Sequence, residues 1–549
     1  MNGRRFGEAR ALLEPAVRAF PQSADAHHFL GMALHACGDA RGAEREWRSA
    51  LAIDTKAEGA ATELAKLLNA GGRHEEALAV TASPAALPRP AQALLAERAR
   101  AYQALERVEE RLAERQRIVD LYPGKPNAQH NLAAALGDVG HAGQAEAAAR
   151  QAFALGGDAP ETWLVLARAL QSQNRLADAE AAFDQALRRR PAYVDALRDR
   201  AQLIWMRTGD LTKAAASLEA AGLPETEARR VRIIQARFFD SAGDPAQGYR
   251  LLDKDRQPDP ELEIVRAHLS LGFDRALALD HAVRADALAP DVEAAQRTLI
   301  NALLANGRAA DALARTEAAL VRRPLDQGLI AAQWTAWRAL GDPRARALYD
   351  YEAFVHAHVI DTPPGWTHLD DYLADLAATL RELHAFQAHP LDQSLRRGTQ
   401  TSANLLKSDH PVIRAFVKAI DGPIRRHMAL IGTGTDRLRS RNTGNYQYIG
   451  MWSVRLQPGG FHVNHTHPMG WLSSACYIEV PDGPDVSAAR EGWIKFGEPG
   501  IPVDPPMEAE FAVQPRPGQL VLFPSYMWHG TIPLTAGPRM TIAFDIAPT

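Results

Sequence analysis

The chain has 549 residues, and its 62 Lys and Arg against 66 Asp and Glu give a formal charge of −4, a near-balance that argues against a nucleic-acid-binding surface along its length. The two cysteines, Cys37 and Cys476, are too few for a disulfide framework and favour a reducing compartment. With no signal-peptide pattern and no apolar run of the ~20 residues that span a bilayer, we expect a soluble, cytoplasmic protein without membrane contact.

From the start to about residue 340, small and large apolar residues recur with a period of about 34 residues. The unit that begins at Pro160 shows the pattern most fully, with Trp163, Leu166, Ala167, Leu170, Ala179, Phe183, Ala186 and Pro191. The same offsets recur in units that begin at Ala24 and Pro126 and in a late unit around Leu299. Small residues let two antiparallel helices approach closely, and large ones fill the space to the next pair.

This pattern resembles the tetratricopeptide repeat family and predicts an α-solenoid of helix-turn-helix repeats over residues 1–340. Two stretches fit less well: Arg111 and Arg115 stand where small or aromatic residues are expected, and 225–290 matches only loosely. Such solenoids present a concave groove, so we expect a protein or peptide partner there, with a structural or dimerising spacer as the alternative.

The first residues match the second helix of a repeat whose first helix is missing, through Gly3, Glu8, Ala9, Ala16 and Pro21. A terminal helix with an unmatched apolar face needs a cap. We therefore expect either a true start upstream or a half-repeat that is itself the cap, and the first is favoured.

After Gly341-Asp342-Pro343 the alanine-rich period stops, and residues 341–445 read as a connector of helices and loops that forms the first part of a second region. Residues 367–385 and 409–430 are predicted to be helical. The polar stretch 393–401 is too polar for a core and predicts a surface loop, with a loop facing substrate or cofactor as the alternative.

From residue 446 to 549 the sequence predicts short strands, rich in branched and aromatic residues and separated by Pro and Gly, at 446–456, 472–480, 492–496, 519–523 and 539–546. Such a series predicts a sandwich or a small barrel. There is no alternation of strands with helices and no phosphate-binding glycine loop. A nucleotide-dependent enzyme is therefore disfavoured.

Three histidines near the C-terminus form a candidate metal site. His465 and His467 are one residue apart, so on an extended segment both side chains point the same way. His529, from a strand folded alongside, would complete one face of a metal and leave other positions open. His462, three residues before His465, is expected to face the opposite side of an extended strand, and either to support the metal ligands without binding the metal or to be structural.

Arg539 and Thr541 are the candidate binding residues beside that metal. Arg539 opens an otherwise apolar strand, and such a cation needs a partner. Thr541 shares its face by the two-residue period, so both side chains can reach one carboxylate. A guanidinium pairs in a bidentate way with a carboxylate, which suits a small dicarboxylate bound next to an Fe(II) oxygenase centre.

Several residues are candidates for the walls of the cavity or for contacts within it. Four aromatic residues are candidates for the walls, although aromatics are more often plain core: Trp471, Tyr477, Trp493 and Trp528. Ser473 and Ser474 are candidates for contact with a bound small molecule.

The segments around these residues are Trp452-Ser453-Val454-Arg455-Leu456, Gly460-Phe461-His462, His465-Thr466-His467-Pro468, Gly470-Trp471-Leu472-Ser473-Ser474, and Phe523-Pro524 through His529-Gly530. In these segments the region 350–549, and especially 448–546, resembles bacterial 2-oxoglutarate- and Fe(II)-dependent oxygenases that carry tetratricopeptide repeats. The resemblance implies a double-stranded β-helix (jelly-roll) fold, a multidomain α + β protein, and hydroxylation with Fe(II) and 2-oxoglutarate. It also implies that His465 and His529 bind the metal and that Arg539 and Thr541 hold the distal carboxylate of 2-oxoglutarate.

One position departs from the pattern that the resemblance implies, His-x-Asp/Glu followed by a distant His. His467 stands at the carboxylate position, which leaves the site one negative charge short, so iron would bind through three histidines or through two and water. Three alternatives stay open: a cupin-like three-histidine dioxygenase or isomerase without 2-oxoglutarate, a non-catalytic scaffold with a degenerate barrel, and a structural zinc site. The cupin-like reading is weakened because 468–475 holds no glutamate.

Overall fold

The structure is a computed structural model that describes residues 3–218, 223–253, 255, 257–391, 393–481, 490–535 and 537–549. Internal contacts divide the chain into two compact units, Met1–Arg189 and Arg190–Thr549. The functional boundaries after residues 340 and 445 stay predictions. Within the described ranges, no helix has the length and apolar character required to cross a bilayer.

The first unit is built from helices that pack as antiparallel neighbours, as predicted for tetratricopeptide repeats. They are α1 Gly3–Ala19, α2 Ala24–Ala36, α3 Ala40–Ile53, α4 Glu58–Ala70, α5 His74–Ala85, α6 Gln92–Ala104, α7 Val108–Leu121, α8 Pro126–Asp138, α9 Ala142–Ala154, α10 Pro160–Ser172 and α11 Leu176–Arg189. The unit predicted from Pro160 is the pair α10 and α11, and Ala179, Phe183 and Ala186 are fully buried in it.

Small residues at fixed positions are required by the close approach of paired helices. A Cβ atom added to Gly31 on α2 would lie 2.5 Å from Nε1 of Trp47 on α3. Where a repeat lacks a small residue, polar contacts replace the missing packing: the buried Arg111 donates to Asp138 at 3.0 Å and to the carbonyl oxygen of Ala135 at 3.3 Å. The poor fit at Arg111 is therefore a local change of contacts within the solenoid.

The second unit begins with helices and ends in the sheets. Its helices are α12 Val194–Thr208, α13 Leu211–Ala216, α14 Glu225–Ser241, α15 Pro245–Leu252, α16 Pro260–Ser270, α17 Arg275–Leu288, α18 Glu293–Ala305, α19 Ala309–Arg322, α20 Gln327–Ala339, α21 Arg344–Leu348, α22 Tyr351–Phe354, α23 Leu369–Leu383 and α24 Pro411–Ile431. Two short 3-10 turns lie at Leu405–Lys407 and Arg439–Arg441. Within the loosely matching 225–290, α14 still packs on α15 and α16 on α17. Helical pairing therefore persists where the residue pattern weakens.

Antiparallel strands form the C-terminal part of this unit: β1 His356–Val359, β2 Leu395–Gln400, β3 Tyr446–His462, β4 Leu472–Glu479, β5 Ile494–Phe496, β6 Phe511–Val513, β7 Gln519–Pro524, β8 His529–Thr531 and β9 Arg539–Pro548. One sheet has the order β1-β7-β4-β9-β3-β2, and the other has the order β6-β5-β8. Helices α23 and α24 pack against the larger sheet. The predicted fold class, an α-solenoid followed by a jelly-roll domain with flanking helices, is confirmed.

The five predicted strands are present, but the interpretation of 393–401 as a surface loop is wrong. Residues Leu395–Gln400 form β2, which pairs antiparallel with β3 and buries Thr399. An edge strand has only one neighbour, so it tolerates polar and charged residues. Because β2 has such residues, it lacks the apolar pattern from which a strand is predicted. The other edge strand, β1, also lacks the apolar signature of a core strand.

Candidate metal centre

The two predicted half-sites are joined by backbone hydrogen bonds. The amide of His465 donates to the carbonyl oxygen of His529 at 2.9 Å, and the amide of His529 donates to that of His465 at 3.1 Å. One half-site follows the end of β3, and the other begins β8 after the turn that ends β7. Backbone pairing thus holds residues 64 positions apart in sequence side by side.

The three predicted histidines converge. The ring centroid of His465 lies 5.0 Å from that of His467 and 4.2 Å from that of His529, and the rings of His467 and His529 are 5.1 Å apart. One ligand nitrogen from each residue lies within 4.8 Å of the others. The Nε2 atoms of His465 and His467 are 3.1 Å apart. This spacing is suited to nitrogen atoms that share one ion.

The other ring nitrogen of each histidine has a hydrogen-bond acceptor. Nδ1 of His465 lies 2.9 Å from the carbonyl oxygen of Val463, and Nδ1 of His529 lies 2.9 Å from that of Met527. A carbonyl oxygen only accepts, so both Nδ1 atoms carry the proton. The Nε2 atoms then keep their lone pairs, which is the tautomer that a metal ligand requires.

Asp545 supplies a negative charge close to His467, the position at which the family pattern has a carboxylate ligand. Its Oδ1 and Oδ2 atoms lie 2.7 Å and 2.8 Å from Nδ1 of His467. The carboxylate is buried, and the hydroxyl of Ser473 donates to it at 2.7 Å. A carboxylate behind a histidine fixes its orientation and raises its basicity as a ligand. A negative charge is therefore present, but on a residue that contacts His467 and not at the ligand position itself.

The predicted site residues of β9 share one face with Asp545. Arg539, Thr541, Ala543 and Asp545 alternate along the strand, and all four line the cavity. The two-residue period used for Arg539 and Thr541 continues to Asp545, so the sequence carried a signal that an acidic residue in an apolar strand faces the site.

Desolvation keeps the imidazoles neutral. It lowers the pKa of His465 to about 3, and the neighbouring His467 adds to the effect. Desolvation, followed by the proximity of His465 and His467, also holds the pKa of His529 well below its ordinary value. Neutral imidazoles offer lone pairs at physiological pH, so no proton has to leave these two rings before a cation binds.

Arg539 is a buried cation without a carboxylate partner among the described residues. Its side chain is 3% exposed and donates to the carbonyl oxygen of Gly492 and, at 3.4 Å, to the hydroxyl of Thr531. Its Nε atom has no hydrogen-bond partner there. Desolvation lowers the pKa of Arg539. An anion that enters the cavity would therefore stabilise the guanidinium.

Tyr477 stands beside that guanidinium. The Arg539 guanidinium carbon lies 5.4 Å from the centre of the Tyr477 ring, and the buried phenol hydroxyl has no hydrogen-bond partner within the described part of the chain. Desolvation raises the pKa of Tyr477 to about 12, so the phenol keeps its proton and can donate it to an acceptor. Of the four aromatic wall candidates, only Tyr477 lines the cavity.

The prediction that His462 faces away from the metal site is wrong. His462 lines the same cavity, and the hydroxyl of Ser394 lies 2.9 Å from its Nδ1 and 3.3 Å from Nε2 of His465. Strand β3 ends at His462, and Val463 and Asn464 leave strand geometry before His465. Strict alternation therefore does not extend across this segment. Ser394, from the stretch predicted as a loop, ties the two histidines together.

One cavity of about 620 Å³ contains all of these groups. The histidines, Arg539 and Thr541 line it together with neutral side chains: Gln393, Ser394, Gln400, Ile449, Trp452, Val454, Pro468 and Met469. Ser474 also lines it, whereas Ser473 lies behind it and bonds to Asp545. Arg539 and Asp545 are the charged lining residues among those described, and Asp545 is already paired. The cavity therefore offers an entering anion a guanidinium that no carboxylate of the described residues pairs with.

The last helices of the repeat region pack against the loop that carries His529. The hydroxyl of Tyr349 donates to the carbonyl oxygen of Tyr526 at 2.7 Å and accepts from the amide of Trp528 at 2.9 Å. The indole nitrogen of Trp528 donates to Thr335 on α20 at 3.0 Å. Trp334 stacks on Tyr349 with ring centres 3.9 Å apart. These contacts fix the backbone immediately before His529.

Comparison with known families agrees with this geometry. The family model described as "Putative 2OG-Fe(II) oxygenase" matches residues 450–545, and the tetratricopeptide repeat model matches residues 1–58 and 164–225. The chain carries tetratricopeptide repeats and a domain that matches this oxygenase family. The oxygenase match includes the three clustered histidines, Arg539 and Asp545, whereas Gln393, Ser394, Gln400 and Ile449 line the cavity from outside the match.

Solved structures similar to the chain are repeat proteins. A tetratricopeptide repeat protein from Parabacteroides merdae is 16% identical, with 51% of this chain and 98% of that chain covered and a TM-score of 0.37. A thermophilic repeat protein from Thermus thermophilus is 25% identical, with 33% and 99% covered and a TM-score of 0.26. YrrB, described as a repeat protein with an unusual peptide-binding site, is 15% identical, with 34% and 97% covered and a TM-score of 0.32. No curated protein matches the chain.

The substitution Asp545→Asn tests the role of the carboxylate in the oxygenase-family domain. Asparagine keeps the volume and can still contact His467, but it removes the negative charge. We expect the affinity for a divalent metal to fall about 10- to 100-fold, the usual cost of losing an outer carboxylate. Anaerobic Fe(II) titration measures it, with the exposed Asp371→Asn as the matched control. Equal affinities of the two variants would contradict the role given to Asp545.

The substitution Tyr349→Phe tests whether Tyr349, which follows α21 just beyond the repeat region, positions His529. It leaves a buried carbonyl oxygen and a buried amide without their partner, at a cost of about 1–3 kcal/mol each in unfolding free energy. We expect lower stability in urea and weaker metal binding together. Tyr351→Phe is the control, because that hydroxyl bonds to Glu510 and does not contact the loop. Metal affinity unchanged by Tyr349→Phe would argue against positioning.

Proposed function

We propose that the C-terminal domain is an Fe(II)- and 2-oxoglutarate-dependent dioxygenase that hydroxylates its substrate, and that the repeats recruit a protein or peptide. The observation that carries this proposal is the buried Arg539, which has no carboxylate partner among the described residues and lines the same cavity as three convergent imidazoles. Burying a guanidinium away from water raises the free energy of the folded protein unless an anion pairs with it. A dicarboxylate bound next to the metal would provide that anion.

His465, His467 and His529 would hold the iron through their Nε2 atoms. The backbone acceptors of His465 and His529 keep those nitrogens unprotonated, and Asp545 does the same for His467 while adding a negative charge nearby. The donor set fits a first-row divalent metal, since imidazole suits iron and leaves positions open on the far side.

Arg539 and Thr541 would hold the distal carboxylate of 2-oxoglutarate. Both are buried on one face of β9, and the guanidinium fork matches a carboxylate in a bidentate way. The orphaned hydroxyl of Tyr477 is a third donor at the same end of the cavity. Because these donors lie out of water, the charge pair would be stronger than at the surface.

When bound, Fe(II) couples the oxidative decarboxylation of 2-oxoglutarate by O2, to succinate and CO2, with hydroxylation of a substrate C–H bond. The chain's own residues orient and shield: Arg539 fixes the cosubstrate, and the apolar side chains around the histidines exclude water. The cavity volume of about 620 Å³ falls in the usual range for a ligand site and leaves room for part of a substrate beside the dicarboxylate.

The repeats support recruitment of a protein or peptide substrate. Solenoids of this family present extended surfaces to partners, and here the last repeat helices contact the loop that carries His529. A macromolecular substrate bound by these last repeats would therefore lie in the compact unit that also contains the cavity.

The test is an anaerobic titration of the purified protein with Fe(II), followed by 2-oxoglutarate, with the visible charge-transfer band of the chelated complex as readout. Succinate release in air gives a second readout. A band together with succinate supports the proposal. Iron binding without a band would favour a three-histidine metal enzyme that does not use 2-oxoglutarate. No iron binding would leave a repeat scaffold with a degenerate barrel.

A further inference from the structure

A second group of three histidines lies outside the cavity, between strand β1 and helix α24. His356 and His358 are one residue apart on β1, and His427 lies on α24. The ring centroid of His427 lies 5.1 Å from that of His356 and 5.6 Å from that of His358, and the last two are 6.3 Å apart. None of the three lines the cavity of the proposed oxygenase centre.

Two ring nitrogens of this group have no hydrogen-bond partner among the described residues. They are Nε2 of His358 and Nε2 of His427, and both are buried. His427 is fully buried as a residue. An unpaired buried polar atom destabilises a protein, so unpaired ring nitrogens in one cluster call for an explanation.

The contact between His356 and His427 has the spacing of two nitrogen atoms that bind one cation. Nδ1 of His356 and Nδ1 of His427 lie 3.3 Å apart. Two neutral imidazoles can satisfy this contact only if one donates and the other accepts. The same separation is that of two nitrogens bound to one ion at Zn–N distances of about 2.0–2.1 Å in a tetrahedral site.

The charge state of the group suits a metal. Burial lowers the pKa of His358 and holds that of His427 well below its ordinary value, so both rings have lone pairs at neutral pH. The nearby Arg426 is paired with Asp361 at 2.9 Å, which offsets its positive charge. A set of imidazoles without a carboxylate selects first-row transition ions over Mg²⁺ or Ca²⁺.

We propose that His356, His358 and His427 form a second metal site, for a divalent transition ion of the Zn²⁺ class, that fastens α24 to the edge strand β1. The rings are set somewhat wider than those of the first cluster, and rotation of the His358 ring about its soft terminal torsion turns a nitrogen towards the other two. The ion would bind Nδ1 of His356 and Nδ1 of His427, whose spacing suits it, and the otherwise unpaired Nε2 of His358. The site is independent of the proposed oxygenase function.

The experiment is Co²⁺ and Zn²⁺ binding to tag-free, chelator-treated full-length protein, with ligand-field absorption of Co²⁺ and metal content as readouts. The first cluster is removed with His465→Ala/His529→Ala. We expect this background to bind one equivalent, and to lose it when His356→Gln/His358→Gln is added. His427→Gln is a second route to the same loss, and Zn²⁺ should raise the melting temperature only while the site is intact.

The exposed His368→Gln in the same background is the control for histidine loss as such, and circular dichroism checks that every variant is folded. The proposal is overturned if the background binds no Co²⁺ or Zn²⁺, or if binding persists after His356→Gln/His358→Gln. Absence of metal binding at the first cluster gives a different result, because wild-type protein would then bind no more metal than the background, whereas the absence of a 2-oxoglutarate band leaves this experiment unchanged.

Discussion

His529→Ala is expected to abolish stoichiometric Fe(II) binding and succinate release. His529 is the buried member of the three-histidine cluster, and its Nδ1–H is held by the carbonyl oxygen of Met527, so Nε2 is preset as a ligand. Losing an outer partner of a metal ligand costs about 10- to 100-fold in affinity, and we expect loss of the ligand itself to exceed about 100-fold. Anaerobic Fe(II) titration and succinate assays measure both effects.

The matched control for this variant is His368→Ala, an exposed histidine on the approach to α23 that lies outside the cavity. It should bind Fe(II) as the wild type does. In the absence of metal, His529→Ala should remain folded, so a thermal scan with and without Fe(II) separates metal loss from misfolding: the wild type and the control should gain more stability from Fe(II) than His529→Ala does. Iron binding retained by His529→Ala would exclude it as a ligand.

Arg539→Met is expected to remove 2-oxoglutarate binding while Fe(II) binding persists. Truncating one partner of a buried charge pair costs about 2–5 kcal/mol, which corresponds to roughly a 30-fold to several-thousand-fold weaker affinity. The readout is the dissociation constant of 2-oxoglutarate from the charge-transfer band at fixed Fe(II). The cofactor-free variant should be at least as stable as wild type, because methionine replaces a desolvated cation that has no carboxylate partner among the described residues.

Two further variants serve as a control and as an intermediate case for Arg539→Met. Arg516→Met removes an exposed arginine that precedes β7 and should leave 2-oxoglutarate affinity unchanged. Arg539→Lys keeps the charge but loses the bidentate fork, so its affinity should fall between the wild type and Arg539→Met. If Arg539→Met binds 2-oxoglutarate normally, the dicarboxylate does not use this residue, and a three-histidine enzyme without 2-oxoglutarate becomes the better reading.

Asp545 shows how far a local pattern can be followed. The two-residue period that groups Arg539 with Thr541 also places Asp545 on their face, yet the sequence alone does not say that this face meets His467. That contact joins residues 78 positions apart. The apparent charge deficit at His467 was therefore a property of the ligand position and not of the whole site.

His462 shows where the pattern ends. Alternation holds while the backbone is a paired strand, and β3 stops at His462. Beyond it, the position of His465 is set by its hydrogen bonds to His529 on another segment. The side chains on either side of the break then face one cavity, although a continuous strand would separate them.

The repeated helices, five of the nine described strands and the clustered histidines could be predicted from the sequence, because period and residue type are local properties. The tertiary structure decided which nitrogens are free, because their partners are backbone carbonyl oxygens and Asp545. It also decided that polar residues form edge strands and that Tyr349 holds the loop before His529, since both depend on contacts between segments distant in the chain. Desolvation, which lowers the pKa of His465 and of His529, exists only once those segments are packed together.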